Sequence, residues 1–283
     1  MKKIFFYFIE KIPLKFRLYV FYFFKFKKPL NLSNPTLYSE KIQKRKFLMK
    51  PVYSLLSDKY KVREFVESRI GDEHLINLLA VYNKPEQINF DTLPKSFVIK
   101  TNFGSGNQHI EIIKHKESFC NKKIINKFKN AINDKYIGSL LGETQYNKIE
   151  KKIIVEEFIK NNNTGIDDFK FHIFNSSDGF LQIDFDRFTN HKRNLYNFSF
   201  ERLNYDLCYK GGDYELPPTS KLEEMKKIAF KLAEGFDYVR VDLYLVKNQI
   251  LFGEMTFTPG NGFELFSNPQ ADKFYGQLWK QYF

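Results

Sequence analysis

The chain has 283 residues, of which 43% are hydrophobic, and its formal net charge is +12. That length allows one large or two modest domains with a packed core, and the charge allows nucleic acid, an anionic membrane or acidic substrates as partners. No arginine-rich arm, zinc-finger spacing or RNA-binding signature is present, so nucleic acid is not expected. The two cysteines, Cys120 and Cys208, match neither a disulfide framework nor a metal site, which is typical of a reducing compartment.

The segment Met1–Lys28 is rich in Phe and Tyr, with Lys and Arg interspersed. Its longest uninterrupted apolar run, Leu18–Phe24, is shorter than the roughly 20 residues that a membrane span requires. Charged residues interrupt what would be a signal-peptide core, and no small-residue cleavage site follows, so the sequence predicts a cytoplasmic protein. Two interpretations stay open: interfacial helices touching the anionic inner face of the plasma membrane, or aromatic side chains packed on the main body.

Hydrophobic periodicity and turn signals predict helices and strands mixed along the chain. Residues 1–70 are predicted to be helical, with helices over Tyr38–Met49 and Asp58–Ser68. The predicted strands are Leu75–Tyr82, Phe97–Thr101, His109–Lys114, Ile153–Ile159, Phe169–Phe174, Phe180–Phe188, Val239–Val246 and Ile250–Phe257. The other predicted elements are helices over Phe119–Asn133, Lys221–Glu234 and Ala271–Tyr282, a turn at Asn161–Gly165 and a loop over 189–218. Several strand pairs are predicted to be antiparallel, which indicates an α+β fold rather than a doubly wound parallel sheet.

A glycine-rich hairpin follows the strand that ends near Lys100. Gly104, Ser105 and Gly106 allow the backbone to approach a phosphate, and successive N–H groups there can form an anion nest. A lysine at the strand end can reach the same phosphate oxygens as a point charge. The alternative interpretation is an ordinary turn beside a solvated lysine.

The last strand pair carries Asp242 and Glu254, with Arg240 beside them. Strand alternation predicts that Arg240, Asp242 and Tyr244 lie on one face of the first strand, and that Phe252, Glu254 and Thr256 lie on one face of the second. Two hard oxygen ligands on adjacent strands suit Mg²⁺ that bridges the phosphates of a nucleotide. The alternative is a hairpin with two edge carboxylates.

The order of lysine, glycine-rich loop, paired glutamates, Arg-x-Asp, Glu-x-Thr and Pro-Gly resembles the ATP-grasp superfamily and, more narrowly, the TupA-like ATP-grasp family, often found among surface-polysaccharide genes. The stretches that carry the resemblance are Asn34–Gln43, Asp58–Val66, Phe97–Gly106, Asp168–Phe174, Arg240–Asp242 and Phe252–Phe257. The resemblance implies two α+β lobes holding nucleotide between them. Residues 1–70 would form a helical region, 71–155 the N-lobe with the phosphate loop, and 156–283 the C-lobe with the metal site.

The resemblance also implies roles in binding ATP and Mg²⁺. Lys100 would contact the α- or β-phosphate, and Gly104, Ser105 and Gly106 would cover the phosphates as a flap. The linker Glu156, Glu157, Phe158 and Ile159 would meet adenine and ribose, although a charged edge of a buried strand is an equal alternative and either glutamate could be the one involved. Asp242, Glu254 and Thr256 would hold the metal, with Thr256 where many relatives have Asn. Where Phe103 stands the family often has His, so a polar contact is not expected there.

For catalysis, the resemblance implies that Lys170 is a second phosphate lysine and that Arg240 stabilises charge on the transferred phosphoryl group. Arg187 could bind the acceptor carboxylate or form a surface ion pair. Asp168 and His172 lie on the same strand face as Lys170. Asp168 is expected to pair with Lys170, and His172 could be either structural or catalytic. Asn261 and Glu264 are expected near the acceptor.

These roles predict a carboxylate–amine ligase that works through an acylphosphate. Its expected substrates are an amine and a uronic acid or amino-acid group of capsule, O-antigen or a teichuronopeptide-like polymer. Two other classes stay open. A glycosyltransferase would use Asp184-Phe-Asp186 as a DxD motif, but no βαβ nucleotide lobe surrounds it; a non-catalytic membrane scaffold would use the basic aromatic N-terminus.

Overall fold

The computed structural model describes residues 9–133, 137–160, 166–187 and 189–281. The turn expected at Asn161–Gly165 lies outside these residues. The helices labelled here are α1 Leu14–Phe26, α2 Tyr38–Arg45, α3 Pro51–Ser57, α4 Val62–Ile70, α5 Asn121–Asn133, α6 Thr219–Ala233 and α7 Pro269–Leu278. The strands are β1 Leu78–Tyr82, β2 Phe97–Thr101, β3 Ile110–Ile113, β4 Ile153–Glu157, β5 Asp168–Phe174, β6 Asp178–Phe185, β7 Lys192–Tyr196, β8 Tyr238–Val246 and β9 Gln249–Thr256.

The chain divides into two compact units. The four-stranded unit comprises the described parts of Lys50–Ser139 and Gln145–Lys160, and the five-stranded unit those of Met1–Met49, Leu140–Thr144 and Asn161–Phe283. Each has an antiparallel sheet with helices, so the α+β class is confirmed. The domain boundaries expected near residues 70 and 155 stay a prediction.

In the four-stranded unit, strand alternation separates a core face from a polar one. The sheet order is β1-β4-β2-β3. Phe97 and Ile99 of β2 are fully buried and pack with Ile124 and Phe128, which lie one helical turn apart on α5. Because side chains alternate along a strand, Lys100 points to the opposite face.

In the five-stranded unit, the sheet order is β7-β6-β5-β8-β9. Helix α6 packs on β5 and β8, on the face where Phe171 approaches Phe198 and Phe198 approaches Phe230 of α6. The other face is apolar at one end, where Phe174 and Phe180 pack against α2 and α7. Along that same face β5 continues from Phe174 through His172 to charged residues.

The terminal hairpin is as tight as the sequence predicts, because Val246 pairs with Gln249 across two residues of positive φ, Lys247 (48°) and Asn248 (69°). Positive φ at both central positions is typical of the type I′ turn that suits strand twist. The expected alternation fails on β9, since a bulge shifts the register between Asp242 and Leu243. Phe252 pairs with Leu243, opposite the face of Glu254 and Thr256.

The bulge falls at Gly253, where a Cβ would lie 3.0 Å from the Asp242 carbonyl oxygen. A glycine allows this close approach of the two backbones. The bulge therefore keeps Glu254 beside Asp242, while Phe252, which precedes the bulge on β9, faces the other way.

Several element boundaries differ from the predictions. The predicted helix from Tyr38 ends at Arg45, and α3 lies in the region predicted to be helical although no bounds were predicted for it. The helix expected from Asp58 begins at Val62, because the Asp58 carboxylate accepts hydrogen bonds from the backbone N–H groups of Tyr60 (2.9 Å) and Lys61 (3.3 Å). Such a local contact holds a turn in place of a helical start.

The loop expected over 189–218 is wrong at β7, whose Lys-Arg-Asn sequence hides the alternation on which strand prediction depends. Among the described residues, no helix has both the length and the apolarity needed to cross a membrane.

Candidate functional site

One face of the five-stranded sheet carries an ordered array of polar side chains, called here the polar face. Antiparallel register sets them side by side across the strands. Its members are Asp168, Lys170, His172, Gln182, Asp184, Arg193, Arg240, Asp242, Glu254 and Thr256. The predicted metal ligands Asp242, Glu254 and Thr256 and the predicted catalytic residues Lys170 and Arg240 all lie on this face, where the register brings them together.

Lys170 lies at the centre of the polar face. Its Nζ is 3.0 Å from Asp242 Oδ2, 3.3 Å from Asp168 Oδ1 and 3.8 Å from Asp184 Oδ2. Burial alone would lower the pKa of Lys170, but the charges of Asp242 and Asp168 outweigh it and raise that pKa. The ammonium group is thus held in its charged form by three carboxylates.

Arg240 binds both proposed metal-ligand carboxylates. Its Nε and Nη2 donate to the two oxygens of Asp242, each at 2.7 Å, and Nη2 also donates to Glu254 Oε1 at 2.9 Å and Thr256 Oγ1 at 3.1 Å. Burial raises the pKa of Asp242, while the charges of Arg240 and Lys170 oppose that rise. One guanidinium nitrogen therefore lies where a cation shared by Asp242 and Glu254 would lie.

The donor set fits a divalent cation only in part. In the described part of the chain, no group of three or more His, Cys, Asp or Glu side chains is placed to hold a metal ion. Asp242, Glu254 and the Thr256 hydroxyl are hard oxygen donors, which suit Mg²⁺ when phosphate oxygens and water complete its shell. Arg240 Nη2 would have to leave the two carboxylates for the ion to bind them.

His172 is fully buried, and its two ring nitrogens are both used. Nε2 lies 3.0 Å from Gln182 Oε1, and Nδ1 lies 2.9 Å from the Tyr238 hydroxyl, which is 2.7 Å from the Tyr38 hydroxyl. Because the amide oxygen only accepts, Nε2 carries the proton and Nδ1 accepts from Tyr238. Burial, followed by the charge of Arg240, lowers the pKa of His172 well below its usual value. These contacts support the structural role for His172.

Gln182 continues this chain of contacts by donating to Asp184 Oδ2 at 3.0 Å. Arg193 donates to Asp184 Oδ1 at 2.6 Å and to Glu264 Oε1 at 2.7 Å. Burial alone would raise the pKa of Asp184, but Arg193 and Lys170 lower it far below its usual range. The sequence reasoning missed Arg193, because it fell in the expected loop.

Arg187 lies at the rim of the polar face. Its Nη1 contacts Asp168 Oδ2, and nearly half of its side chain is exposed (47%). Both expected interpretations, an ion pair and a group able to reach a ligand, agree with this position.

In the four-stranded unit, the two glutamates of the proposed linker have different surroundings. Lys100 Nζ lies 2.6 Å from Glu156 Oε2, and Arg63 Nη1 lies 3.6 Å from Glu156 Oε1. Glu156 is buried and Glu157 is exposed, with Phe158 and Ile159 half-buried after them. Arg63 lies in a stretch that supported the family resemblance, but no role was predicted for it.

The glycine-rich loop is anchored at its base and exposed at its tip. Thr101 Oγ1 is 2.9 Å from His109 Nδ1 and accepts the N–H of Gly104 at 3.2 Å. Gly104 is buried against the His109 ring, whereas Ser105 and Gly106 are exposed. Lys59 Nζ donates to the Gly104 carbonyl at 3.0 Å, a contact that the sequence reasoning missed.

Phe103 is buried and meets the His109 ring edge to face at 5.4 Å. Its side chain contributes apolar packing at the base of the loop, in line with the expectation that position 103 makes no polar contact.

Residues 40–280 match the model of the TupA-like ATPgrasp family. Among solved structures, the chain is similar to D-alanine–D-alanine ligase from Bacillus anthracis complexed with ATP (16% identity, TM-score 0.41, 74% of this chain and 56% of that one). It is also similar to D-alanine–D-alanine ligase from Helicobacter pylori (15%, 0.44, 80% and 62%) and to L-amino acid ligase from Bacillus licheniformis (14%, 0.45, 79% and 49%). The chain thus spans 49–62% of the length of these ligases. The comparison with curated proteins gives no match.

Proposed function

Because this chain belongs to the TupA-like ATP-grasp family, we propose that it is an ATP- and Mg²⁺-dependent ligase that joins a carboxylate to an amine. In the proposed reaction, the substrate carboxylate attacks the γ-phosphorus of ATP and gives an acylphosphate and ADP. The amine then displaces phosphate, loses a proton and leaves an amide. This reaction requires no protein nucleophile, since positioning and charge neutralisation lower the barrier.

The observation that carries the proposal is the buried charge network of the polar face. A carboxylate and a triphosphate repel each other, so their reaction needs fixed cations. Lys170 and Arg240 are such cations, each held by carboxylates before any ligand binds. Preorganised charge in a site with little water stabilises a developing anion more than mobile charge does.

In the five-stranded unit, Asp242, Glu254 and Thr256 are the proposed Mg²⁺ ligands. The ion would supply charge neutralisation on the phosphate oxygens. Lys170 is the proposed phosphate-contacting lysine, and Arg240, released from the carboxylates, the proposed group for the transferred phosphoryl.

Arg187 is the proposed contact for the acceptor carboxylate. Its exposed guanidinium can form the bidentate contact that arginine makes with carboxylates.

In the four-stranded unit, Lys100 and the backbone of Gly104, Ser105 and Gly106 are proposed to bind the phosphates. Glu156 is proposed to orient Lys100, because it is buried against that lysine. The exposed Glu157 is then the better candidate for the ribose, with the backbone of Phe158 and Ile159 meeting adenine.

The proposed substrates are an amine and a uronic acid or amino-acid group of a surface polysaccharide such as capsule, O-antigen or a teichuronopeptide-like polymer. This assignment depends on the family resemblance alone. The proposed place of work is the cytoplasm, at the inner face of the plasma membrane, where polysaccharide precursors and ATP are both accessible.

The glycosyltransferase alternative is weakened by the surroundings of its DxD candidate. Asp184 is buried and engaged by Arg193 and Lys170, and Asp186 follows the end of β6 with a positive φ of 52°. All pairs among the described strands are antiparallel, so the βαβ unit of a sugar-nucleotide lobe is not found around this motif in the described residues.

The test is an ADP-release screen against uronic acids and amines, combined with thermal melting in ATP and Mg²⁺. ATP with Mg²⁺ should raise the melting temperature, because a ligand of the native state stabilises it. Asp242→Asn should lower turnover by on the order of 10²-fold or more. The exposed Asp213 gives a matched control, since Asp213→Asn removes one carboxylate outside the polar face and should keep full turnover. A folded protein that shows no melting shift in millimolar ATP and Mg²⁺ would overturn the proposal.

A further inference from the structure

Helix α1 is apolar on two opposite faces. Its inner face buries Leu18 and Tyr22 completely, in a cluster with Leu30 and Leu32. The Tyr22 hydroxyl also lies 2.8 Å from Ser39 Oγ of α2. These contacts fix α1 on the five-stranded unit, so its inner aromatic side chains pack on the main body.

The other face of α1, called here the outer face, exposes Phe16 (60%), Val20 (37%), Phe23 (53%) and Phe24 (67%). Their spacing of four, three and one residues places them on one side of a helix. A surface helix of a globular protein normally has polar residues on that side. A row of exposed apolar side chains along about 12 Å of helix, three of them aromatic, marks a surface that contacts another apolar medium.

The charged side chains of residues 11–28 are all basic. Residues 11–28 contain no Asp or Glu. Their basic residues are Lys11, Lys15, Arg17, Lys25, Lys27 and Lys28. Lys15, Lys25 and Lys27 are exposed at both ends of α1, flanking the aromatic row.

We propose that the outer face docks on the surface of an anionic lipid bilayer. Phe16, Phe23 and Phe24 would enter the boundary between headgroups and acyl chains, and the flanking lysines would meet anionic headgroups. Interfacial helices combine an apolar face with Lys or Arg in this way. A second copy of the chain fits less well, because the same cluster of positive charge would face itself across the interface.

This inference does not depend on the ligase chemistry, because α1 carries none of the proposed site residues. One short helix is a weak anchor, so the binding should be reversible and should weaken as salt screens the lysines.

The test is co-sedimentation of the full chain with vesicles of phosphatidylglycerol and, separately, of phosphatidylcholine. Binding should be at least about tenfold stronger to phosphatidylglycerol, since several lysines contribute. Phe16→Ser with Phe24→Ser should weaken that binding by about tenfold or more. The matched control is Phe47→Ser with Phe274→Ser, which removes two rings of similar exposure (44% and 56%) outside α1 and should bind as the unaltered chain does.

A second pair of variants tests the charges without touching the aromatic row. Lys25→Gln with Lys27→Gln should weaken binding to phosphatidylglycerol vesicles by about tenfold or more, because each basic residue near an anionic surface strengthens the binding by about fivefold. Lys122→Gln with Lys123→Gln, exposed on α5, makes the same change in net charge and should have little effect. All these positions are at the surface, and melting curves will show that each variant folds.

Three results would overturn the proposal. One is no binding to phosphatidylglycerol vesicles. Another is a control variant that loses as much vesicle binding as its matched α1 variant. The last is a dimer of the unaltered chain that dissociates when Phe16→Ser and Phe24→Ser are introduced together.

Discussion

The two units hold their proposed phosphate-binding lysines in different ways. In the five-stranded unit, Lys170 contacts three carboxylates and its side chain is 8% exposed. In the four-stranded unit, Lys100 contacts Glu156 next to an exposed loop, and its side chain is 17% exposed. The first arrangement fixes charge before a ligand arrives, whereas the second leaves the loop tip free to adapt to one. If both lysines bind phosphate as proposed, the five-stranded unit would supply fixed charge and the four-stranded unit an adjustable loop.

The largest expected effect that tests this difference is on stability. Lys170→Met leaves Asp168, Asp184 and Asp242 with fewer cations in a buried setting, which should lower the free energy of unfolding by about 3–5 kcal/mol. Lys100→Met should cost less, about 1–2 kcal/mol, because Lys100 is more exposed than Lys170 and Arg63 stays near the buried Glu156. Urea unfolding measures both values.

Equal losses of stability in Lys170→Met and Lys100→Met would contradict the difference between the two units. Asp242→Asn in the Lys170→Met background sharpens the test. Removing one negative charge should restore part of the lost stability, since neighbouring charges couple.

The residue types of the polar face were predictable from the sequence, but their packing was not. Alternation on β5 and β8 placed Lys170, Arg240 and Asp242 correctly, and the TupA-like ATP-grasp resemblance is confirmed. Arg193 was missed, because β7 has one polar and one apolar buried residue on each face, Arg193 with Leu195 and Asn194 with Tyr196, and so has no hydrophobic period.

The bulge at Gly253 was also unpredictable from alternation, since it depends on how closely two backbones approach. The roles of the two linker glutamates could not be separated either, because Glu156 and Glu157 differ only in which face of β4 they take. The assigned site roles themselves stay predictions.

The glycine-rich loop offers an intermediate effect. A Cβ on Gly104 would lie 2.0 Å from His109 Nδ1, whereas one on Gly106 would meet no heavy atom within 4 Å. Gly104→Ala should therefore displace His109, break its contact with Thr101 and cost about 2–3 kcal/mol, with weaker ATP binding. Gly106→Ala should cost about 1 kcal/mol through its φ of +77°.

A double-mutant cycle separates the two causes. In a His109→Ala background, Gly104→Ala should cost almost nothing further, because the clashing ring is gone, while the cost of Gly106→Ala should persist. An unchanged cost of Gly104→Ala in that background would show that the loop is not anchored through His109.

The smallest expected effect concerns protonation inside the five-stranded unit. Burial lowers the pKa of His172 well below its usual 6.5, so the native state keeps the ring neutral while the unfolded chain binds a proton below about pH 6.5. The unfolded state then holds more protons, and the free energy of unfolding should fall by about 1.4 kcal/mol per pH unit on acidification from pH 6.5 towards 5. His172→Asn should remove that part of the slope. Urea unfolding at three or four pH values measures it. If His172→Asn kept the wild-type slope, the His172 ring of the native protein would take up its proton at the same pH as in the unfolded chain. The hydrogen bonds of His172 to Tyr238 and Gln182 would then have to rearrange at little cost in free energy.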